Sequence, residues 1–383
     1  GNQAISNNAR YGLYIADYGN DRVTSTAYDL YLQGSGIFPS GFRAIQTENP
    51  NLKWETTIQY NAGIDFALFR NELYGTADIY LKKVKDMLIQ PAYLASLGEG
   101  GASWSNGPSL QNWGMEFTVG YRHTTSYGLG YNISGNLDFF RNRVTYLPET
   151  TTGSYAHTTT ENLVQAKVPY GSIVGYVVDG LYQNREEVLA CGQENARVGG
   201  LKYADLNGDG RINADDQTWI FNPVPDFSWG LNVSLNYKDF DLSMFFQGVC
   251  GVDIYNNQKF QTDFYSITDA GSNKGNRMLQ AWTQDNTSST IPALTTNNTG
   301  DEGRASTYYV EHGSWLKLRS LQIGYNMPSS LLKKVNMTSA RFYVSGQNIF
   351  TLKSDGFTVS DPENPNWAYP HATSVSFGLQ LGF

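Results

Sequence analysis

The chain has 383 residues and a net charge of −8, and it contains 26 Tyr, 19 Phe and 8 Trp but only two cysteines. The acidic balance argues against a nucleic-acid partner, and no apolar run approaches the ~18 residues that a membrane-spanning helix needs. Cys191 and Cys250 have no CxxC partner and no histidine at ligand spacing, which argues against a zinc site or a disulfide framework and leaves open whether they pair. No signal peptide is visible at the start, so we expect either a mature N-terminus or a piece of a longer protein.

Alternation of apolar and polar residues, which indicates a strand with two different faces, recurs along most of the chain. Two candidates near the start are irregular, and the later strands pair as hairpins across short turns. The irregular candidates cover 11–18 and 23–32, and the regular segments cover 52–68, 73–87, 110–123, 128–145, the hairpin 229–248, 307–327, 339–352 and 374–383.

The hairpin 229–248 shows the repeating unit most clearly. Its first strand places Trp229, Leu231, Val233, Leu235 and Tyr237 on one face and Gly230, Asn232, Ser234 and Asn236 on the other. Trp229 and Tyr237 are eight steps apart, roughly 27 Å along a strand and about 20 Å along the membrane normal at a tilt of ~40°. That height is close to the ~25 Å apolar band, edged by aromatic girdles, of outer-membrane barrels.

The strand 307–327 changes phase in its middle. Leu316 and Leu318 share one phase, whereas Leu321 and Ile323 share the other. One extra residue in a strand produces such a slip, so we predict a β-bulge near 319–320.

Connections between the predicted strands alternate between short turns and long loops. The long loops cover about 88–109, 146–224, 251–306 and 353–370. Outer-membrane barrels have short turns at one rim and long loops at the other. The polar face is rich in Asn, Ser, Thr, Gln and Gly rather than Lys and Glu, which favours a wet lumen over the exterior of a soluble sandwich. We therefore predict an all-β fold, an antiparallel transmembrane β-barrel to which residues 1–383 contribute ten to eleven strands.

Several passages follow one family pattern in order along almost the whole chain. They are GNQ at 1–3, NPNLKWETTIQYNAGIDF at 49–66, LYGTADIYLKKVKDML at 73–88, DLNGDGRINADD at 205–216, PDFSWGLNVSLNYKDFDLSMFFQG at 225–248, SWLKLRSLQIGYNMP at 314–328, VSGQNIFTL at 344–352 and the terminal FGLQLGF. The chain resembles the C-terminal part of the barrel of SusC/RagA-family TonB-dependent transporters of Bacteroidota. This resemblance implies a 22-stranded barrel in the outer membrane of a Gram-negative bacterium and a SusD-like lipoprotein lid. It also implies energy supplied by TonB through an N-terminal plug and TonB box, which are not in this sequence.

The segment 205–216 matches the calcium-binding loop of EF-hands. That loop places oxygen ligands at positions one, three, five, nine and twelve, a glycine at six and a backbone carbonyl at seven. The corresponding residues are Asp205, Asn207, Asp209, Arg211 through its carbonyl, Asn213 and Asp216. Hard oxygen donors suit calcium, and the short Asp at position twelve keeps magnesium open. We predict a structural ion, and an Asp- and Gly-rich loop that needs no ion is the alternative.

Aromatic side chains in the predicted loops are candidates for stacking on sugar rings, with girdle anchoring or loop packing as the competing role. These residues are Trp104, Trp113, Trp219, Trp282 and Trp367. The sequence has no nucleophile elbow, phosphate-binding glycine loop or paired-carboxylate signature. We therefore expect no enzyme activity.

The predicted function is TonB-dependent import of a bulky nutrient, with an oligosaccharide as the first choice of cargo and a peptide as the second. A passive porin or adhesin barrel and a secreted β-rich glycan-binding protein are the alternatives. The prediction requires that Leu231, Leu235, Leu379 and Phe383 face lipid. Burial of these side chains between two sheets would contradict it.

Overall fold

The computed structural model describes residues 49–89, 104–146, 169–264, 274–295, 302–332, 337–365 and 369–383, together with the backbone of 13–17 and 41–46. The strands in these residues are β1 (Leu13–Asp17), β2 (Gly41–Gln46), β3 (Thr56–Leu68), β4 (Leu73–Lys85), β5 (Leu88–Ile89), β6 (Ser105–Asn106), β7 (Ser109–Thr124), β8 (Leu129–Tyr146), β9 (Ile173–Gly175), β10 (Val178–Leu181), β11 (Leu201–Tyr203), β12 (Thr218–Phe221), β13 (Phe227–Tyr237), β14 (Phe240–Cys250), β15 (Asp253–Tyr255), β16 (Val310–His312), β17 (Trp315–Asn326), β18 (Ser339–Lys353) and β19 (Ser374–Gly382). The α-helices are α1 (Arg185–Ala190) and α2 (Ser329–Leu332), and other short helical segments occur at Ala214–Asp216, Phe260–Phe264, Asn276–Gln280 and Thr307–Tyr309. None of the helices in the described residues has the length and apolar character needed to cross a membrane.

Nine strands form one large sheet in the order β3-β4-β7-β8-β13-β14-β17-β18-β19. Because this is also the order of the chain, each long strand neighbours the next one, as the predicted hairpins require. The neighbours from β8 to β19 are antiparallel. The nine strands of this sheet and the separate pair of β1 and β2 make eleven strands, against the predicted ten to eleven. In the described residues the short β16 also lies outside the predicted long loops. The candidate strand 23–32 lies outside the described residues.

Internal packing divides the chain into two units, 1–60 with 81–113 and 142–168, and 61–80 with 114–141 and 169–383. In the first unit β5 pairs with β6. The side-chain amide of Asn106 donates to the carbonyl oxygens of Lys53 and Asp86, each at 2.9 Å. Both described ends of the predicted loop 88–109 are therefore ordered against their neighbours.

One face of the large sheet presents rows of exposed apolar side chains. On β19 and the residue after it, the row is Val375, Phe377, Leu379, Leu381 and Phe383, all between 41 and 84 % exposed. On β7 the row is Trp113, Met115, Phe117, Val119 and Tyr121. Contiguous apolar surface of this kind is rare on soluble monomers. Lipid is the surrounding that suits it.

The central strand β13 carries the same apolar face. Leu231 and Leu235 are half-buried, and their cross-strand neighbours on β14 are Phe246 and Leu242. Cross-strand pairs on one face of a sheet shield each other in this way. The exposure of the rows on β7 and β19 contradicts burial between two sheets, because a second sheet would cover every residue of this face.

The predicted bulge in β17 is confirmed. Along β14, Phe245 pairs with Ser320 and Phe246 pairs with Leu318, so Arg319 is the extra residue. Two residues of β17 therefore oppose one step of β14. The extra residue restores the alignment of the apolar residues that follow it with those that precede it.

The two faces of β19 give opposite predictions for a new charge. Phe377→Arg places a guanidinium in the exposed apolar row, which costs about 2–4 kcal/mol near the middle of a bilayer. Ser376→Arg, one residue away on the polar face, is the matched control and should stay within about 0.5 kcal/mol of the parent. Urea unfolding in lipid vesicles measures both. Equal destabilisation by the two substitutions would contradict the assignment of the apolar row to lipid.

Candidate functional site

The two longest predicted loops, 146–224 and 251–306, together with the helical turn Thr307–Tyr309 that follows the second one, contain a hydrophobic core instead of a purely polar connection. We call this cluster the loop core; it comprises Tyr176, Leu181, Leu201, Tyr203, Phe264, Trp282 and Tyr309. The short strands β10 and β11 supply Leu181, Leu201 and Tyr203 to it. Sequence periodicity missed it because its residues come from several separate segments and follow no regular spacing.

The Asp-rich segment 205–216 folds around its own side-chain oxygens. The two oxygens of Asp205 accept hydrogen bonds from the backbone N–H groups of Gly208, at 2.7 Å, and Gly210, at 2.8 Å. Asn207 and Asp209 each accept from the backbone N–H two residues further on, at 2.8 Å. Gly208 and Gly210 adopt φ values of 77° and 78°, a region that favours glycine. The loop conformation thus follows from the Asp, Asn and Gly pattern.

Asp216 closes the segment from within. It is fully buried, and its oxygens accept from the backbone N–H groups of Leu206 and Asn213, each at 2.9 Å. Burial alone would raise the pKa of Asp216, but the backbone donors outweigh burial and hold this pKa below its usual value. The carboxylate therefore stays charged inside the loop at neutral pH.

The predicted cation site has suitable donors that do not form a tight carboxylate cluster. Oxygen donors alone suit calcium or magnesium. In the described residues, however, the group of three Asp, Glu, His or Cys side chains with ligand atoms all within 4.8 Å of one another is Asp361, Glu363 and His371. The carboxylates of 205–216 are not gathered that closely, so the ion stays a prediction.

The Asp-rich segment is attached to helix α1 and to the loop core. Asn184 caps α1 through its side chain, and the carbonyl of Gly192, just beyond this helix, accepts from Ile212 N at 3.2 Å. A Cβ atom on Gly192 would lie 2.0 Å from the carbonyl oxygen of Gly210, so only glycine permits this approach. Ile212 packs against the loop core. The Asp-rich segment therefore contacts the loop core directly through Ile212.

The structure gives the candidate tryptophans different surroundings. Trp282 lies in the loop core at 7 % exposure, and its Nε1 donates to Gln183 Oε1 at 2.8 Å. Trp113 belongs to the exposed apolar row of β7, where a girdle residue would lie. Trp104 and Trp219 are half-buried, and Trp367 lies outside the described residues. Packing therefore accounts for Trp282.

A charge cluster that sequence reasoning missed joins β17 to the loop before β19. Lys317 Nζ lies 2.7 Å from Asp361 Oδ1, and Lys317 is 1 % exposed. Burial alone would raise the pKa of Asp361, but hydrogen bonds from Lys317 and from the backbone of His371 and Glu363 hold this pKa far below its usual range. The sequence feature that pointed to this part of β17 was the change of phase beside Lys317.

A second buried polar network links the loops to one another. Tyr308 Oη donates to Asp263 Oδ2 at 2.6 Å, and Lys259 Nζ lies 2.9 Å from Glu311 Oε1. Burial, with the nearby Asp263 carboxylate, raises the pKa of Tyr308 far above its usual value. Tyr308 is therefore a neutral hydrogen-bond donor at any physiological pH.

The lowered pKa of Asp216 predicts acid sensitivity of the 205–216 segment. Its folded-state pKa lies below the ordinary 3.8, so its stabilisation is complete above about pH 5 and is lost as pH falls through the folded-state pKa. We expect amide hydrogen exchange in 205–216, corrected for the intrinsic pH dependence of exchange, to increase only in that acid range. Asp216→Asn should loosen the segment already at neutral pH, as amide hydrogen exchange can measure, whereas the exposed Asp215→Asn should not. Equal exchange in both variants would contradict the role of Asp216.

Comparison with known proteins shows the same family along much of the chain. A family profile described as "TonB dependent receptor-like, beta-barrel" matches residues 13–238. "TonB-dependent receptor P3" of Formosa agariphila is 32% identical over 363 residues, covering 88% of this chain and 35% of that protein. "TonB-dependent receptor SusC" of Bacteroides thetaiotaomicron is 27% identical over 351 residues, covering 88% and 32%. The chain therefore spans about a third of the length of these relatives.

A solved structure has the same fold. "Structure of the RagAB peptide transporter" matches with a TM-score of 0.76 and 22% identity over 100% of this chain and 39% of the matched chain. At that identity the likeness concerns the fold alone. The predicted all-β barrel architecture is confirmed.

Proposed function

Because the chain belongs to the TonB dependent receptor-like beta-barrel family, we propose that it is the C-terminal part of an outer-membrane importer of bulky nutrients. The family consists of transporters, and the chain is not an enzyme, as its sequence predicted. The observation that carries the proposal is the pair of opposite faces on the large sheet. The apolar rows of β7 and β19 suit lipid, and the polar rows suit a wet lumen.

An oligosaccharide is the proposed cargo, and a peptide is the alternative. The resemblance to the SusC/RagA family supports the first choice. The fold neighbour that is described as a peptide transporter supports the second. In either case the barrel binds and moves its cargo without changing a covalent bond.

The proposed partners are a SusD-like lipoprotein on the outside and TonB on the inside. The loop core and the buried ion pairs support the first partner because they give the loops a fixed shape. A preformed surface loses less conformational freedom on binding than a mobile one. TonB would act through an N-terminal plug and TonB box encoded outside residues 1–383.

The alternatives differ in what they require of the surroundings. In a secreted glycan-binding protein the exposed apolar rows of β7 and β19 would lie in water, which is unfavourable for apolar side chains. A passive porin or adhesin has the same lipid face. The dependence on TonB therefore distinguishes import from passive diffusion.

Uptake by the complete protein that contains this chain tests the proposal. We expect that loss of the protein, or deletion of its TonB box, abolishes growth on one class of large oligosaccharide and leaves growth on monosaccharides intact. Growth on peptides as the only amino-acid source provides the parallel arm. Uptake that persists without the TonB box would indicate a passive porin, and loss of peptide growth alone would assign the peptide.

We further propose that the segment 205–216 binds calcium as a structural ion. Asp205, Asn207, Asp209, the carbonyl of Arg211, Asn213 and Asp216 would supply the oxygens. The conformation of the segment and the buried charge of Asp216 support this proposal. The ion would screen the carboxylates from one another and hold the segment to the loop core.

Removal of two proposed ligands should loosen the loop and spare the barrel. In Asp205→Ala with Asp209→Ala we expect faster protease cleavage at 205–216, unaffected by a chelator, with normal heat-modifiable mobility on gels. The parent should be protected by calcium and cleaved faster in chelator, and the exposed non-ligand variant Asp215→Ala should behave as the parent does. Cleavage of the parent at one rate with calcium, magnesium or chelator would count against any bound metal.

A further inference from the structure

A charge-balanced cluster fastens the loop before β19 to the polar face of β17. The two oxygens of Glu363 contact Lys317, at 2.5 Å, and Arg319. Lys317 also contacts Asp361, at 2.7 Å. The side chain and backbone N–H of His371 add contacts to the other oxygen of Asp361, each at 2.9 Å. Two permanent cations thus meet two carboxylates, with Lys317 and Asp361 buried and Arg319 and Glu363 half-buried.

Other polar contacts hold the same segment at further points. Lys353 Nζ donates to the carbonyl oxygens of Val359, at 2.8 Å, and Ser360, at 3.1 Å. The backbone N–H of Thr358 donates to Glu311 Oε2 at 2.9 Å, which joins the segment to the network of Lys259. The segment therefore bridges the wall of the sheet and the loops.

Few apolar side chains contribute to this attachment. In residues 354–365 the buried ones are Val359 and Pro362, and Phe357 is half-buried. The segment begins at a turn where Gly356 has a φ of 78°, a conformation that favours glycine. An attachment made of charge pairs and a few hydrogen bonds can separate locally, because little apolar surface is exposed when it opens.

We propose that residues 354–365 form a strap, held closed by the pairing of Lys317 and Arg319 with Asp361 and Glu363, that opens without unfolding of the wall strands. When the strap opens, the contact between Thr358 and Glu311 is released, and the loops lose one of their links to the wall. The strap is a conformational device of this chain and does not depend on the nature of any cargo.

The charge balance gives the proposal a specific test. Lys317→Met leaves Asp361 buried without its cation and close to Glu363, and an uncompensated buried charge is strongly unfavourable. The double change Lys317→Met with Asp361→Asn removes one charge of each sign and leaves the pair of Arg319 and Glu363. A strap held by charge should therefore open in the single variant and close again in the double variant.

Amide hydrogen exchange on the complete protein in detergent measures both. In Lys317→Met we expect the amides of 354–365 to exchange about 10- to 100-fold faster, while those of β17 and β18 keep their protection. In the double variant the strap should return to within about threefold of the parent. Glu363→Gln, which removes the charge of a half-buried carboxylate, is a milder variant should Lys317→Met fail to assemble. It should also speed exchange in 354–365 while β17 and β18 keep their protection.

The ion pair of Asp241 and Arg341 is the matched control. It joins β14 to β18, with Asp241 Oδ2 2.6 Å from Arg341 Nη2, and its partners do not belong to the strap. Asp241→Asn with Arg341→Gln should leave exchange in 354–365 unchanged. The proposal is overturned if the strap and β17 lose protection together, if the single variant leaves the strap protected, or if the double variant gives no rescue.

Discussion

The large sheet is organised by a division between two surroundings, one apolar and one polar. Hydrogen bonding along the sheet pairs the backbone of each inner strand with a neighbour on both sides, so the side chains alone meet the surroundings. In lipid no water replaces a missing backbone partner, and a closed barrel, to which a sheet of this kind contributes part of the wall, is one of two solutions that span a bilayer. The alternation of apolar and polar residues follows from this requirement. Successive side chains of a strand point to opposite faces, so one face must be apolar and the other polar.

The same division moves the hydrophobic core away from the sheet. Tyr182, Leu201, Tyr203, Phe264 and Tyr309 are each no more than 2 % exposed, and all lie outside the large sheet. A soluble sandwich would bury such residues between its sheets. Here the apolar rows of β7 and β19 stay exposed, and the loops bury their own apolar residues to become ordered. The loops consequently have a fixed form of their own, which a binding surface needs.

Sequence reasoning succeeded where one residue's position depends only on its neighbours in the strand. Period two located the long strands, and a single break in that period located the bulge at Arg319. Neither argument reaches the loops, because Lys317 and Asp361 meet across 44 positions of sequence and nothing in either local pattern announces the other. Trp282 illustrates the same limit: its burial depends on Leu181, Tyr203 and other residues from distant segments. The Asp-rich segment is readable as a motif because the hydrogen bonds of its Asp and Asn side chains are local. Whether an ion occupies it is a matter of chemistry that the motif leaves open.

The bulge and the strap are two parts of one feature. Arg319, which has no partner residue on β14, donates to Gln247 Oε1 at 2.7 Å and to Asn348 Oδ1 at 3.3 Å, and it contacts Glu363. Asn348 lies where the register with β18 also shifts, with a φ of 49°. It holds the chain that leads into β19, through its carbonyl to Thr373 Oγ1 at 2.7 Å. A regular ladder would fix these side chains at the spacing of the strands, whereas a bulge bends the strand locally and changes their direction. The slip in the sequence pattern is therefore the bulge that lets Arg319 and Asn348, which lie side by side in the sheet, contact the strap and the residues leading into β19.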